Sequence, residues 1–593
     1  MWLTLRWVSK LEKITAMRNI MKEKGIAAYV IPGSDAHQSE YIAEHFNIRK
    51  WISGFTGSCG LVVVTAKEAG LWTDGRYFIQ AQQELPNSGV SLFKMDTAGV
   101  PNYRRFLFEQ LSEGDKIGFD GKVLSVLQFE ALKKELISKN ISYHYDEDIA
   151  GDLWIERPSL PNTPAFVHEK RFTGMDTIDK LSIIRSKMKE KRVDMYLVSA
   201  LDEVAWSTNL RGNDIPHTPV IHAYMLIGIK EAWLFTDSKV EPMQGVTVLP
   251  YADVFLHLQK YDDKTILYTP NGTSVKLFHS IKGRPVKGNI IQGLKAVKNP
   301  IEIENFKNAF IKEGVTMVRF LKWLSENSPS EMQIVQKLTE LRKSNKDCLG
   351  DSFGTIAAYG KNAAIVHYNP NTKKPENETV KDGFLLVDTG GQYLDGTTDI
   401  TRTIVVGDET KVSDEMKRDF TLVLKGNIAL ARAKFLQGTV GMQLDILARQ
   451  YLWQAGMDYK HGTGHGIGYC LSVHEGPANI STKANNNKLL PGMMFSNEPG
   501  LYKEGRYGIR IENLMLVKEA CGLDENEHGV FLEFEVMSLC PIDTRAIDMT
   551  LLTPDEVDYL NSYHQNVYEK LSPFLTEDER QWLRRDSNDG FGS

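Results

Sequence analysis

The 593-residue chain reads as an α/β protein with an α+β C-terminal part, and three observations predict it. An amphipathic helix followed by an apolar strand occurs near the N-terminus and recurs, with matching residues, after a proline-rich break. Beyond residue 299, helices and strands alternate up to about residue 540. The composition, 42% hydrophobic and 25% charged with ordinary Gly and Pro usage, is that of soluble globular domains. At roughly 150 residues per domain, about two to four domains are expected.

Residues 11–24 carry apolar side chains at helical spacing (Leu11, Ile14, Met17, Ile20, Met21), Gly25 stops the helix, and residues 26–31 read as a strand. The stretch before them is an upstream extension, with Met17 an alternative start. Residues 181–190 and 193–198 repeat the pair, Met188-Lys-Glu-Lys answering Met21-Lys-Glu-Lys and Tyr196 answering Tyr29. Downstream, Leu234-Phe-Thr-Asp237 answers Leu71-Trp-Thr-Asp74. Two diverged copies of one α/β module are expected, at residues 1–156 and 157–298, against the competing explanation that helix–strand pairs are common. Arg157-Pro-Ser-Leu-Pro-Asn-Thr-Pro164 is a stiff linker between them. After its strand the first copy has Ser34-Asp35-Ala-His37-Gln-Ser39-Glu40-Tyr41, where the second has Ser199-Ala-Leu-Asp-Glu203. Polar residues at strand ends often reach a neighbouring site. Asp35 and His37 are therefore candidate substrate residues, with surface-loop chemistry as the alternative.

The third region, residues 299–593, opens at Asn299-Pro300, with Pro at a helix start and Glu302 and Glu304 in the first turn, where the helix dipole favours them. This helix is expected to reach about Leu324, and residues 330–344 and 414–436 read as further helices. After Pro541 come residues 548–552, two helices and a polar tail from Asp586 that is expected to fray.

The net charge of −6 is small and evenly spread, with no basic stripe, which argues against a nucleic-acid partner. Five cysteines without any CxxC spacing argue against a disulfide framework or a zinc knuckle and favour a reducing, cytoplasmic compartment. No stretch approaches a membrane span of about 18 apolar residues, and residues 1–8 are too short and too interrupted for a signal sequence.

The chemistry concentrates in the third region. Phe384-Leu-Leu-Val387 reads as a buried strand leading into Asp388-Thr-Gly-Gly-Gln-Tyr-Leu-Asp-Gly-Thr-Thr-Asp399-Ile-Thr-Arg402, with a second strand over residues 398–406. Two carboxylates on neighbouring strands repel unless a cation separates them. Turn and strand-end capping at the surface is the alternative for this stretch alone. Three more stretches add to it: His461-Gly-Thr-Gly-His465-Gly-Ile-Gly468 with Val473-His474-Glu-Gly-Pro477, Gly492-Met-Met-Phe-Ser-Asn-Glu498-Pro-Gly500, and Tyr507-Gly-Ile-Arg510-Ile-Glu512-Asn-Leu-Met-Leu-Val517. The last alternates, so Arg510 and Glu512 share a face. Asp388, Asp399, His465, Glu498 and Glu512 make four carboxylates and one imidazole with no thiolate, a donor set suited to Mn²⁺, Co²⁺ or Zn²⁺ rather than to a structural zinc. Four negative charges balance two divalent ions. Such a pair, roughly 3.5 to 4 Å apart, shares a water, lowers its pKa and clamps a tetrahedral intermediate, chemistry suited to amide hydrolysis.

Asp-x-Gly-Gly…Asp-Ile-Thr-Arg, Gly-x-Gly-His-Gly-x-Gly, Asn-Glu-Pro-Gly and Gly-Ile-Arg-Ile-Glu-Asn, in this order over residues 300–540, resemble the aminopeptidase P family of pita-bread metallopeptidases. With the two modules ahead, which resemble creatinase-like N-terminal modules, the cytosolic three-domain type is matched over nearly the whole chain. The resemblance implies that Asp388 chelates one metal, Asp399 and Glu512 bridge, and His465 and Glu498 complete the other. It implies two ions, Mn²⁺ first with Co²⁺ or Zn²⁺ as alternatives, and a homodimer. It also implies release of the N-terminal residue from peptides with proline in second position, by a hydroxide bridging the metals. His367, in His367-Tyr-Asn-Pro370, and His474 match substrate-site positions, where imidazoles donate to the oxyanion or to the leaving nitrogen. Glu498 is the candidate base for the attacking water. His461, Arg510 and Tyr502 are weaker neighbours, Arg510 as an orienting partner of Glu512 or Asp399. An X-Pro bond has no N–H and a fixed φ, which defeats enzymes that need that donor.

Prolidase, with the same five ligands, is disfavoured by the doubled module. Methionine aminopeptidase would lack the N-terminal region, and creatinase-like enzymes lose the ligands. A non-enzymatic histone-binding or scaffold module is disfavoured by the intact set.

Overall fold

The computed structural model describes residues 9–370, 379–523 and 527–588, so the expectations for residues 1–8 and for the end of the tail lie outside the described residues. Packing divides the chain into two units. One holds the residues up to Val167 with Met175–Pro216 and Val220–Ile291; the other holds His168–Gly174, His217–Pro219 and Gln292–Ser593.

In the first unit both modules build a six-stranded sheet of identical topology. The first sheet is made, in chain order, by Ala28–Pro32, Leu61–Thr65, Ala69–Thr73, Ser91–Lys94, Lys116–Phe119 and Ser142–His144. The second is made by Met195–Val198, Tyr224–Gly228, Ala232–Phe235, Thr247–Leu249, Thr265–Tyr268 and Arg284–Lys287. Spatial order in each is fourth, third, second, first, fifth, sixth. In each, the first strand pairs antiparallel with the second and parallel with the fifth. The echoed residues occupy equivalent places: Tyr29 and Tyr196 lie buried in the first strands, and Leu71 and Leu234 in the third. The duplication is therefore real at the level of topology.

Sequence reading missed a further repeat, Leu124-Ser-Val126 against Thr273-Ser-Val275. Both serines precede helices, Val126–Glu135 and Val275–His279, and the two segments bond each other reciprocally. Val126 N donates to Thr273 O and Val275 N to Leu124 O, each at 2.9 Å. Four backbone groups at helix starts find partners that no intrahelical bond could supply. The two modules consequently pack as one body.

The second unit begins with the helix Pro300–Glu326, whose N-terminus is closed by a capping box between Asn299 and Glu302 with Pro300 behind it. The expected helix at residues 330–344 is Glu331–Lys343. Three antiparallel strands, Ile356–Tyr359, Gly383–Thr389 and Ile400–Val406, form one small sheet. A six-stranded sheet runs in the order Lys434–Leu436, Phe531–Val536, Asn513–Glu519, Met494–Asn497, Gly464–Gly466, Glu475–Ile480. Gly500–Lys503 and Tyr507–Arg510 form a hairpin. One expectation is corrected: the helix assigned to residues 414–436 ends at Ala431, and Lys434–Leu436 is a strand. Phe435 is the reason, since it sits buried opposite Leu532 while Lys434 and Leu436 face outward, a period of two that a continuing helix cannot provide. Near the C-terminus, Pro554–Leu571 and Glu577–Asn588 are the two expected helices, the second carrying the chain past Asp586.

Candidate metal centre

The two small strands bring the first pair of carboxylates together. Asp388 ends one strand opposite Thr401, and Asp399 immediately precedes the strand that starts at Ile400. The chain returns so closely that a Cβ on Gly390 would overlap the Thr398 carbonyl, which explains a glycine between the aspartates. Asp399 is buried, which removes the surface-cap alternative. His465 is the middle residue of Gly464–Gly466, Glu498 follows Met494–Asn497, and Glu512 stands between the hairpin and Asn513–Glu519. The single strand expected over residues 507–517 is thus two, broken at Ile511 and Glu512.

Ligand atoms of Asp399, His465 and Glu512 all lie within 4.8 Å of one another. His465 Nε2 is 3.4 Å from Asp399 Oδ2 and 3.5 Å from Glu498 Oε1. Its Nδ1 lies 3.0 Å from Gly466 O, so a proton held there turns the Nε2 lone pair toward the carboxylates. Arg510 Nη2 donates to Asp388 Oδ2 at 2.6 Å, Nη1 to the Tyr502 hydroxyl at 2.7 Å and Nε to Thr401 Oγ1 at 3.2 Å. Arg510 therefore holds Asp388 directly and reaches Glu512, one of its two expected partners, through the Thr401 hydroxyl. Thr401 Oγ1 donates to Glu512 Oε2 at 2.6 Å and Ser496 Oγ to Glu498 Oε1 at 3.3 Å. Neither hydroxyl was singled out from sequence, although strand alternation places Thr401 two residues from Asp399. Arg402, also missed, is buried and donates to the carbonyls of Thr401, Glu512, Cys540 and Pro541, tying two ligand-bearing segments together.

The remaining candidates divide. His474 meets His465 edge-on with ring centroids 4.2 Å apart. The His461 Nε2 lies 2.8 Å from the Tyr502 hydroxyl, and its Nδ1 3.9 Å from Glu498 Oε2. His367 is half-buried on the turn after Gly360–Ala364, and its neighbour Tyr368 belongs to a core cluster against which Tyr502 packs. Asp35 and His37 lie in the first unit, 0% and 2% exposed. There His37 Nδ1 contacts Ser199 O at 2.7 Å and Nε2 the Tyr251 hydroxyl at 2.8 Å, while Asp35 Oδ1 accepts from His37 N and Ser39 N. The His37 side chain thus reaches the second module, while Asp35 braces its own loop.

Burial, then the neighbouring Asp388 or Asp399 charge, pushes Asp399 and Glu512 well above the usual carboxylate range. Burial also pushes Glu498 up to about 7. Asp388 Oδ1 is buried without a hydrogen-bond donor. Two buried and two half-buried carboxylates facing one guanidinium, one of them with an orphaned oxygen, are costly as they stand and become favourable when cations fill the space between them. The residues present therefore fit a divalent metal centre.

Residues 304–519 match the model of metallopeptidase family M24, and residues 530–589 that of its C-terminal region. Residues 13–146 and 156–302 each match the creatinase/prolidase N-terminal domain. Xaa-Pro aminopeptidase 1 of Dictyostelium discoideum is 37% identical over 98% of this chain and 97% of its own length. The chain belongs to the M24 metallopeptidase family. Aminopeptidase P2 of Arabidopsis thaliana is 36% identical to this M24 chain over 96% of it and 87% of the plant protein. The crystal structure of X-prolyl aminopeptidase from Caenorhabditis elegans, described as a cytosolic enzyme with a di-nuclear active site, superposes with a TM-score of 0.93. It shares 32% identity and covers 98% of this chain and 100% of the worm chain. The fold is thus two creatinase-type N-terminal domains followed by the M24 pita-bread domain.

Proposed function

We propose that this M24 enzyme hydrolyses the N-terminal Xaa-Pro bond of peptides and releases the first amino acid, by attack of a hydroxide held between two divalent metals. The observation that carries the reading is the complete cluster of Asp388, Asp399, His465, Glu498 and Glu512 in a chain that matches Xaa-Pro aminopeptidases along nearly its full length. Asp388 would serve one ion, Asp399 and Glu512 both, His465 and Glu498 the other. The ions, Mn²⁺ with Co²⁺ or Zn²⁺ as alternatives, supply a nucleophile at neutral pH and a Lewis acid. Glu498, whose Oε1 lies 3.5 Å from His465 Nε2, takes the proton of the attacking water. His474, packed on His465, and His367 donate to the developing oxyanion and to the leaving proline nitrogen. Arg510 holds Asp388 in place through its guanidinium fork. We place the domain boundaries near residues 156 and 298.

Two further proposals accompany this reading. The enzyme acts in the cytoplasm, as the worm relative is described to do; no described helix is long and apolar enough to cross a membrane. It forms a homodimer, the state that the resemblance to the three-domain type implies.

Chelation followed by return of Mn²⁺, Co²⁺ or Zn²⁺, with Arg-Pro-Pro, Ala-Pro and Ala-Ala-Phe assayed in parallel, tests the activity. Metal-dependent cleavage of Arg-Pro-Pro with Ala-Ala-Phe intact is expected. Cleavage of Ala-Pro alone would mark a dipeptidase, and metal-independent or absent cleavage of all three overturns the reading.

A further inference from the structure

A buried carboxylate outside the metal cluster fastens the segment that carries His367. Glu331 is the first residue of the helix Glu331–Lys343, behind the N-cap Ser330, and is 0% exposed. Its Oε1 accepts from Tyr359 N and from Asn362 Nδ2, both at 2.8 Å, and its Oε2 accepts from the Tyr368 hydroxyl at 2.6 Å. Asn362 Nδ2 also donates to that hydroxyl oxygen at 3.2 Å. The donors come from the end of the strand Ile356–Tyr359, from the turn Gly360–Ala364, and from the residue directly after His367.

The two sides of this segment are already held. Ile356 lies opposite Asp388 in the small sheet, so the segment leaves from beside a ligand strand. Gly508, two residues before Arg510, packs so tightly on the turn that a Cβ would overlap the Ala363 carbonyl. Between Ile365 and Pro370, in contrast, no strand or helix orders the chain; its local backbone bonds are Ile365 N to Asn362 O and Tyr368 N to Ile365 O, each at 3.0 Å. The conformation around His367 is therefore set in part by what grips Tyr368 and Asn362. A carboxylate at a helix N-terminus is favoured by the dipole, and its two oxygens can collect three donors from one loop, which an apolar side chain cannot do.

We propose that Glu331 is a positioning residue for the reaction, setting the His367 imidazole through Tyr368 and Asn362. The inference rests on the reading above, in which His367 acts on the scissile carbonyl or the leaving nitrogen.

The test is a double-mutant cycle on the metal-loaded full-length enzyme with Arg-Pro-Pro, measuring kcat, KM and bound metal for Glu331→Gln, Tyr368→Phe, His367→Ala and the pairs with His367→Ala. Gln keeps the shape but turns an amide N–H₂ toward one of the donors. Glu331→Gln is expected to lower kcat by about 10- to 100-fold, the cost of misplacing a reacting group by a fraction of an ångström to one ångström, with metal content unchanged. In the His367→Ala background the same change is expected to add no loss, because the two residues act as one unit. Tyr368→Phe removes one hydroxyl, is expected to give a smaller loss that also vanishes in that background, and serves alone if Glu331→Gln does not fold. Equal fold-losses in both backgrounds, near-normal kcat in both Glu331→Gln and Tyr368→Phe, or loss of metal overturns the proposal. Near-normal turnover of His367→Ala overturns instead the role of His367, a separate result.

Discussion

Asp399 and Glu512 are the residues on which the assignment of two metals turns. Each is buried, and each is raised by burial first and by a neighbouring carboxylate second. Asp399→Asn or Glu512→Gln removes one charge and one ligand oxygen, and kcat on Arg-Pro-Pro is expected to fall by about 100-fold or more, at the upper limit of what outer partners such as Thr401 are worth or beyond it. Metal analysis of the purified variants checks the cause, with less than the parent's metal bound. A second residue-scale effect lies away from the centre. Burial, then the Arg402 charge, lowers the His564 imidazole from 6.5 to about 4, and its Nε2 accepts from Ile542 N at 3.1 Å. The unfolded chain binds this proton more tightly. The stabilisation is therefore complete above pH 6.5 and is lost as pH falls through 6.5 toward 4, up to about 3 kcal/mol at the acid end. Urea midpoints measured at pH 7 and pH 5 are expected to differ less in His564→Gln than in the parent. The ligands were legible as residues because carboxylates are poor strand formers and their presence needed a reason. Thr401, Ser496 and Glu331 were not, because a hydroxyl or a helix-start glutamate has an ordinary local use and its partner lies far along the chain.

At the scale of elements, the helix Asp414–Ala431 shows two competing magnitudes. Gly426 lies inside it, where Ala is worth about 1 kcal/mol more in helix propensity. A Cβ there would overlap the Ala448 carbonyl of the neighbouring helix Gly441–Gln454. Overpacking against fixed backbone costs about 1 to 3 kcal/mol or more, so Gly426→Ala is expected to destabilise the protein despite its better propensity, read as a lower Tm. The same helix explains the boundary error. Ala433, Phe435 and Leu436 are compatible with either period, and the choice was made by Leu532, to which Phe435 is paired across the sheet. Helices with caps were read closely, as Pro300–Glu326 and Glu331–Lys343 show. Their start signals are local hydrogen bonds written in adjacent residues.

At the scale of the molecule, duplication was visible in scattered identities and became definite in topology, where two sheets share one strand order. The packing of both modules into one unit was not visible, because it uses backbone bonds at Val126 and Val275 and the buried contacts of His37. Sedimentation velocity of the parent protein is expected to show a dimer. A parent that sediments as a monomer sinks the dimer.

The sequence by itself determined the fold class, the duplicated modules and the five candidate ligands, since periodicity, capping and misplaced carboxylates are local signals carried by residue type. Tertiary structure alone decided which donor serves which carboxylate, that Arg510 holds Asp388, that His37 reaches the second module, and that Glu331 grips the His367 segment. Those are relations between residues tens to hundreds of positions apart, and a hydrogen bond depends on a few tenths of an ångström and on direction, neither of which spacing along a chain can encode.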